Sequence, residues 1–172
     1  MAYDRVKPMR KWMGFIVPAL VLGSCFFYGP AAAVDAQTQF SKAGLLADEV
    51  ISMEELRNKQ IRNERFVLFD ARTKQSYDEG HLQGARLPLS ADYYKKQELF
   101  RMRVLSRMPD MDKELVKSVK AFPKDKAIVT YCNDECQASA VLALKLKSLG
   151  FKSVRAMEGG FQSWKKKGYP VE

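Results

Sequence analysis

The segment Ala127-Ile128-Val129-Thr130-Tyr131-Cys132 decides the fold, together with the loop Asn133-Asp134-Glu135-Cys136-Gln137-Ala138 and the run 139–149 behind it. A continuous apolar run that ends abruptly in polar residues is the pattern of a strand buried on both faces. In 139–149, Ala140, Ala143, Leu144, Leu146 and Leu149 recur at the spacing of one helical face. Gly150 stands where a left-handed helix stop belongs, and 153–157 resumes an apolar run. Strand, helix and strand at these lengths form a βαβ unit, which predicts a parallel sheet.

Upstream, Phe66-Val67-Leu68-Phe69-Asp70 is a second buried-strand run, closed by an acid. Ile51-Ser52-Met53-Glu54-Glu55-Leu56 reads as a short strand entering a helix, with Ser52 and Glu55 at capping-box spacing. Residues 93–107 and 111–122 are two basic amphipathic segments, broken at Met108-Pro109-Asp110, with Asp110 as N-cap of the second. They are expected to cover one face of the sheet as a helical insertion, 91–121. The fold class is therefore α/β, a small parallel β-sheet flanked by helices in three layers.

The first 36 residues read as an address. Arg5, Lys7, Arg10 and Lys11 precede an apolar run of 17 residues, 12–28, and small-residue cleavage sites end at Ala33 and Ala36. Membrane-spanning helices need about 20 apolar residues, so cleavage is favoured over a permanent anchor. A lipoprotein-like box ending at Cys25 and an uncleaved anchor through 12–28 are the other readings. All three place the chain outside the cytoplasm, in the periplasm or its equivalent, with membrane contact only through this segment. Residues 37–50 are expected to be a leader and 51–172 the domain.

Composition narrows the chemistry. Apolar residues are 47% and charged residues 28% of 172, the balance of a globular chain. The net charge is +9; removing residues 1–36 takes away four basic residues and two acids and leaves 25 against 18, or +7. On an exported chain this excess is a solvated basic surface, and no nucleic-acid partner is expected. One histidine and three cysteines provide too little for a zinc site, so neither metal nor cofactor is expected.

The chemistry is then left to Cys132. It ends a strand where open parallel sheets bind ligands, ahead of a helix N-terminus that favours an anion, and the thiolate is the nucleophilic form. Asp70-Ala71-Arg72, with Tyr77-x-x-Gly80-His81-x-x-Gly84-Ala85, resembles the first signature of the rhodanese-like domain. Tyr131-Cys132 before a loop and helix resembles that family's catalytic strand end. Gly159-Gly160-Phe161-x-x-Trp164, then Gly168-Tyr169-Pro170-Val171-Glu172, resembles its C-terminal signature.

The resemblance covers about residues 50–172 and implies sulfur transfer. Cys132 would carry sulfane sulfur as a persulfide from a small donor to a thiol acceptor or a protein thiol. Asn133, Asp134, Glu135, Gln137, Ala138 and Ser139 would cradle the sulfur through backbone N–H groups. Asp70 and Arg72 would be scaffold near the site, and His81 would pin a turn.

Two departures qualify this. The loop has Asp134 and Glu135 where family sulfurtransferases carry a basic residue and a glycine, and it is one residue longer. Longer loops of this fold occur in the cell-cycle phosphatases, whose oxyanion-clamping arginine is replaced here by Ala138. A carboxylate ~6 Å from a thiolate at an effective dielectric of ~40 opposes it by ~1.4 kcal/mol, as much as a helix terminus provides. Thiosulfate activity is accordingly expected to be weak. Cys136, four positions beyond Cys132, is either a resolving thiol or a space-filling residue. A dithiol redox module and a non-catalytic binding module are the competing functions.

Overall fold

The computed structural model describes residues 40–41, 43–99 and 110–172, with only the backbone described at 96–99. The expectations about residues 1–36, Cys25 among them, and about 100–107 lie outside the described residues.

Five strands form one sheet: β1 (Val50–Ile51), β2 (Val67–Asp70), β3 (Ala85–Arg86), β4 (Ile128–Tyr131) and β5 (Val154–Met157). Their order is β1-β5-β4-β2-β3 and every pairing is parallel. The central strand is thus β4, and its register sets Asp70 of β2 beside Tyr131. The parallel three-layer α/β architecture expected from the sequence is the one the chain adopts.

Strand parity sorts the core into two layers. Val67, Phe69, Ile128 and Val154 face helices α3 (Ala91–Leu99), α4 (Met111–Val119) and α5 (Ala138–Ser148). Leu68, Val129, Tyr131 and Met157 face α1 (Met53–Ile61) and α6 (Phe161–Lys166), where Leu56 and Trp164 are fully buried. A short helix, α2 (Lys74–Asp78), stands between β2 and β3 and buries none of its residues. Helix α4 buries Met111, Leu115 and Val119, an i, i+4, i+8 stripe, and Ser118 Oγ donates to Pro88 O at 2.6 Å.

Three expectations are corrected. Asp110 is not a side-chain cap of α4: its φ of 60° lies in the left-handed region, whereas a capping side chain needs extended backbone to reach the first amides. Its carboxylate pairs instead with Lys113 at 3.1 Å. Only half of the capping box at α1 forms, because Ser52 Oγ accepts from Glu55 N at 3.0 Å while the Glu55 carboxylate pairs with Arg155 at 2.7 Å. The leader belongs to the fold: Phe40 and Leu45 are buried in the α5-side core, and Val50 already pairs with Ala156.

Full burial of such a side chain contributes about 1.5–3 kcal/mol. Leu45→Ala is therefore expected to lower the unfolding free energy by about 2–3 kcal/mol in denaturant titration. A passive leader would leave the midpoint unmoved.

Candidate functional site

Cys132 follows β4 and keeps the strand's alternation. Ile128 and Cys132 point to the α5 side, while Val129 and Tyr131 point to the other. The consequence is burial: Cys132 is 1% exposed, packed under α5. Its Sγ donates to Cys136 O at 2.8 Å, has Asn133 O at 3.4 Å, and lies 3.4 Å from Ser139 Oγ. A sulfur among carbonyl oxygens keeps its proton. The hydrogen bond with Cys136, burial and the charge of the neighbouring sulfur all raise the Cys132 pKa far above that of a free thiol.

Cys132 is thus buried rather than open, and the lowered pKa of the pair falls on Cys136. That residue is half-buried, and its Sγ accepts from Ala138 N, the first amide of α5, at 3.4 Å. The N–H that opens the helix thus points at the Cys136 sulfur, while the Cys132 thiol is aimed at the Cys136 carbonyl. The hydrogen bond from Cys132, assisted by the backbone at Ala138 and Asn133, outweighs the cost of burial and lowers the Cys136 pKa to about 6. The two thiols titrate as a pair.

The other loop residues are occupied elsewhere. Asp134 N donates to Gln162 Oε1 at 3.0 Å, and Gln162 Nε2 donates to Asn133 Oδ1 at 3.0 Å. The Asp134 carboxylate accepts from Ser163 N at 3.2 Å and from Ser163 Oγ at 2.6 Å, so this acid is turned onto the first turn of α6. Glu135 is exposed at φ 58°, and this left-handed turn lets Cys136 N donate back to Asn133 O at 3.3 Å. Gln137 precedes α5 without a side-chain cap. Ser139 is buried, its carbonyl accepting from Thr130 Oγ1 at 2.9 Å.

The floor beside the loop is a buried polar network. Asp70, 0% exposed, accepts from Arg72 Nη2 at 2.6 Å, from Arg72 Nε at 3.0 Å and from Tyr131 Oη at 2.5 Å. Arg72 also donates to Gly80 O at 2.7 Å and stacks on Phe161, 4.0 Å from the ring centroid. His81 Nδ1 meets Tyr77 O at 3.1 Å, and its ring stacks on Tyr77, so the turn after α2 is pinned to the helix's last turn.

Sequence reasoning missed Gln162 and Ser163, the two unassigned positions inside Gly159-Gly160-Phe161-x-x-Trp164, which hold the loop from the opposite side. Gly160 carries the signal that was available. A Cβ there would stand 2.2 Å from the Asn133 carbonyl carbon and the Asp134 nitrogen, so only glycine lets α6 approach the loop. Ala138 also helps line a small apolar recess of about 20 Å³, room for a single water, with Ala71, Pro88, Leu89, Met111 and Val141. Among the described residues, no group of three or more His, Cys, Asp or Glu side chains is placed to hold a metal ion.

A parallel sheet with two cysteines on the loop after its central strand, braced by a Gly-Gly turn, defines a cysteine-loop α/β domain. The rhodanese-like domain family model matches residues 52–167, and the chain belongs to that family. Among solved structures, a protein from Bacillus halodurans is similar at TM-score 0.54 and 21% identity, covering 81% of this chain and 85% of that one. The rhodanese-like domain of an Anabaena sp. protein is similar at TM-score 0.52 and 24% identity, covering 72% and 78%. A thiosulfate sulfurtransferase from Pseudomonas aeruginosa is similar at TM-score 0.51 and 20% identity, covering 71% of this chain and 19% of that one. At these identities the likeness is one of fold. No curated protein sequence matches the chain.

The thiol pair has a direct test. In the folded full chain, alkylation of Cys136 is expected to rise through a midpoint near pH 6, with Cys132 protected until the protein is denatured. Cys132→Ala removes the S–H donor and moves that midpoint up toward the ~8.5 of a free cysteine. Peptide mapping that finds Cys132 alkylated first would contradict the assignment.

Proposed function

We propose that the chain is a sulfurtransferase that carries sulfane sulfur as a persulfide on its cysteine loop, with Cys136 as the entry thiolate and Cys132 as its buried partner. The low pKa of a half-exposed sulfur in a rhodanese-like domain carries this reading. The Cys136 thiolate attacks the sulfane sulfur of a donor R–S–S⁻, R–S⁻ leaves, and the loop holds Cys136–S–S⁻. An acceptor nucleophile then takes the outer sulfur and the Cys136 thiolate returns. The sequence alone favours Cys132 as carrier, because it ends the strand; burial and its retained proton favour Cys136.

The loop also selects the donor. Glu135, exposed and adjacent to Cys136 in sequence, adds a negative charge to the loop, and this disfavours dianionic thiosulfate relative to a donor of lower charge. The proposal extends to export: the basic flank, apolar run and small-residue sites of 1–36 support an extracytoplasmic protein. The intact mass of the protein isolated from its host envelope tests processing at Ala33, at Ala36 or before Cys25.

Activity is tested with pre-reduced full-length protein, glutathione persulfide as donor and cyanide as acceptor. Thiocyanate formation is expected to fall roughly a hundredfold in Cys136→Ser. Full activity in Cys136→Ser with loss in Cys132→Ser would return the carrier role to Cys132. With thiosulfate as donor, Glu135→Gln is expected to raise the rate roughly fivefold, the equivalent of about 1 kcal/mol of repulsion removed. An unchanged thiosulfate rate would show that the carboxylate does not act on the donor.

A further inference from the structure

The edge of the sheet opposite the cysteine loop carries charges that sulfur transfer does not use. Val67, Ile128 and Val154 stand side by side on β2, β4 and β5. Two residues before each of them comes a cation: Arg65, Lys126 and Lys152. The backbone keeps its ladder there, since Val67 N donates to Ala127 O at 2.9 Å and Ile128 N to Ser153 O at 2.8 Å. Neighbouring strands run about 4.8 Å apart, so three adjacent chain segments bring three positive charges to one edge. Lys124 joins them: its carbonyl accepts from Lys152 N at 2.9 Å, and its ammonium lies 4.2 Å from the Phe151 ring centroid. Arg65, Lys124 and Lys152 are exposed, and Lys126 is half-exposed.

Carboxylates of the chain do not balance this row. Glu49 pairs with Lys147, and Glu64 with Lys59 and Arg62, which leaves Asp48 and Asp125 as the unpaired acids of this edge among the described residues. Arg65, Lys126 and Lys152 have no ion-pair partner among those residues either. The negative ends of helices attract cations, but that attraction fades beyond the last turn. Arg65 stands four residues past α1, Lys152 four past α5 and Lys126 seven past α4, so the helix ends do not account for them. Like charges on adjacent strands oppose one another, and an anion from outside the chain relieves that repulsion.

We propose that this edge docks the domain on an anionic phospholipid surface, with the cysteine loop facing away from the bilayer. The inference takes its membrane from the export reading proposed above. The entry of the chain favours a bilayer over a soluble polyanion. Val50 pairs with Ala156, so Asp48 comes in at the level of Val154, two residues from Lys152. Before it, Glu49 reaches Lys147 and Gly44 lies against Leu144, both in the C-terminal half of α5. The leader therefore joins the domain beside the cationic row, at the end of the sheet away from Cys132. Residues 29–39, between the apolar run 12–28 and Phe40, reach at most about 40 Å, so a run held in a membrane keeps the domain at its surface. Each cation brought to an anionic surface strengthens binding roughly fivefold. The parallel sheet then turns the opposite ends of its strands, and the loop after β4, toward solvent.

The test sediments full-length protein with vesicles of phosphatidylcholine alone or of equal parts phosphatidylcholine and phosphatidylglycerol, at low and at high salt. The ratio of the two partition constants separates charge from apolar insertion of residues 12–28, which both vesicles receive alike. Lys126→Gln with Lys152→Gln is expected to lower the ratio roughly twenty-five-fold, about fivefold for each charge, and high salt to abolish it. Lys165→Gln with Lys166→Gln removes two exposed cations from α6 and is expected to leave the ratio within about twofold of wild type. On the phosphatidylglycerol vesicles, acetylation of Lys126 and Lys152 is expected to slow while alkylation of Cys136 is unchanged. Equal ratios for wild type and the Lys126→Gln, Lys152→Gln variant overturn the inference, as does a ratio that salt does not move. Retention by double-stranded DNA without any preference for anionic vesicles would assign the row to a soluble polyanion and overturns it too. Loss of Cys136 alkylation on the vesicles overturns the orientation. Export is decided separately, by the intact mass at the N-terminus, which does not enter this ratio.

Discussion

The site depends on one buried carboxylate. Asp70 ends β2 beside Tyr131 at the end of β4, and it has no exposed surface over which water could satisfy it. Its oxygens are met by the Arg72 guanidinium, by the Arg72 backbone amide at 2.9 Å and by the Tyr131 hydroxyl. The arginine then reaches the turn at Gly80 and the ring of Phe161, and Tyr131 Oη accepts from Leu82 N at 3.1 Å. Four segments distant in sequence converge on a charge that could not be buried unpaired. Removing one partner of such a pair is strongly destabilising, typically by about 3–5 kcal/mol, so the carboxyl edge of the sheet is a rigid floor on which a mobile chemistry can be set.

On that floor the loop is held between two helices for two different purposes. Helix α5 supplies an amide to the Cys136 sulfur. Helix α6 supplies Gln162 and Ser163 to the two residues after Cys132, and Phe161 N donates to Cys132 O at 2.9 Å. The acid that looked like an electrostatic liability, Asp134, answers the open first turn of α6 and so is a brace. Glu135, by contrast, is exposed. The two carboxylates are adjacent in sequence and opposite in role because the left-handed turn at Glu135 separates their directions.

Much of this was legible in the chain. The runs ending at Asp70 and Tyr131 are uninterrupted apolar strands, and the helical face of 139–149 allows only a parallel return to 153–157. Period-2 counting along 128–132 places Cys132 on the same face as Ile128, under the helix, and this burial was available before any coordinates. It was obscured because a strand-end position suggests exposure, which holds for the loop but not for the strand's last alternation. The two-residue strands β1 and β3 leave no periodic signal. The turn that folds Cys136 back on Asn133 was not legible, since it depends on a left-handed backbone at Glu135 that a non-glycine residue does not advertise. Gln162 and Ser163 were invisible for a related reason: their partners are backbone atoms and a carboxylate of a loop some 28 residues earlier.

The pair of thiols shows why partition of a proton matters more here than the identity of a nucleophile. A buried sulfur with a carbonyl at contact distance is a poor attacker, and a sulfur receiving two hydrogen bonds is an anion but a less basic one. In this loop the two positions differ in surroundings: Cys132 is buried on a carbonyl oxygen, and Cys136 is half-buried before the first amide of α5. The acidic, arginine-free loop then follows as a matter of electrostatics. Where an arginine would stand, this loop sets a helix amide and a neighbouring thiol about the Cys136 sulfur.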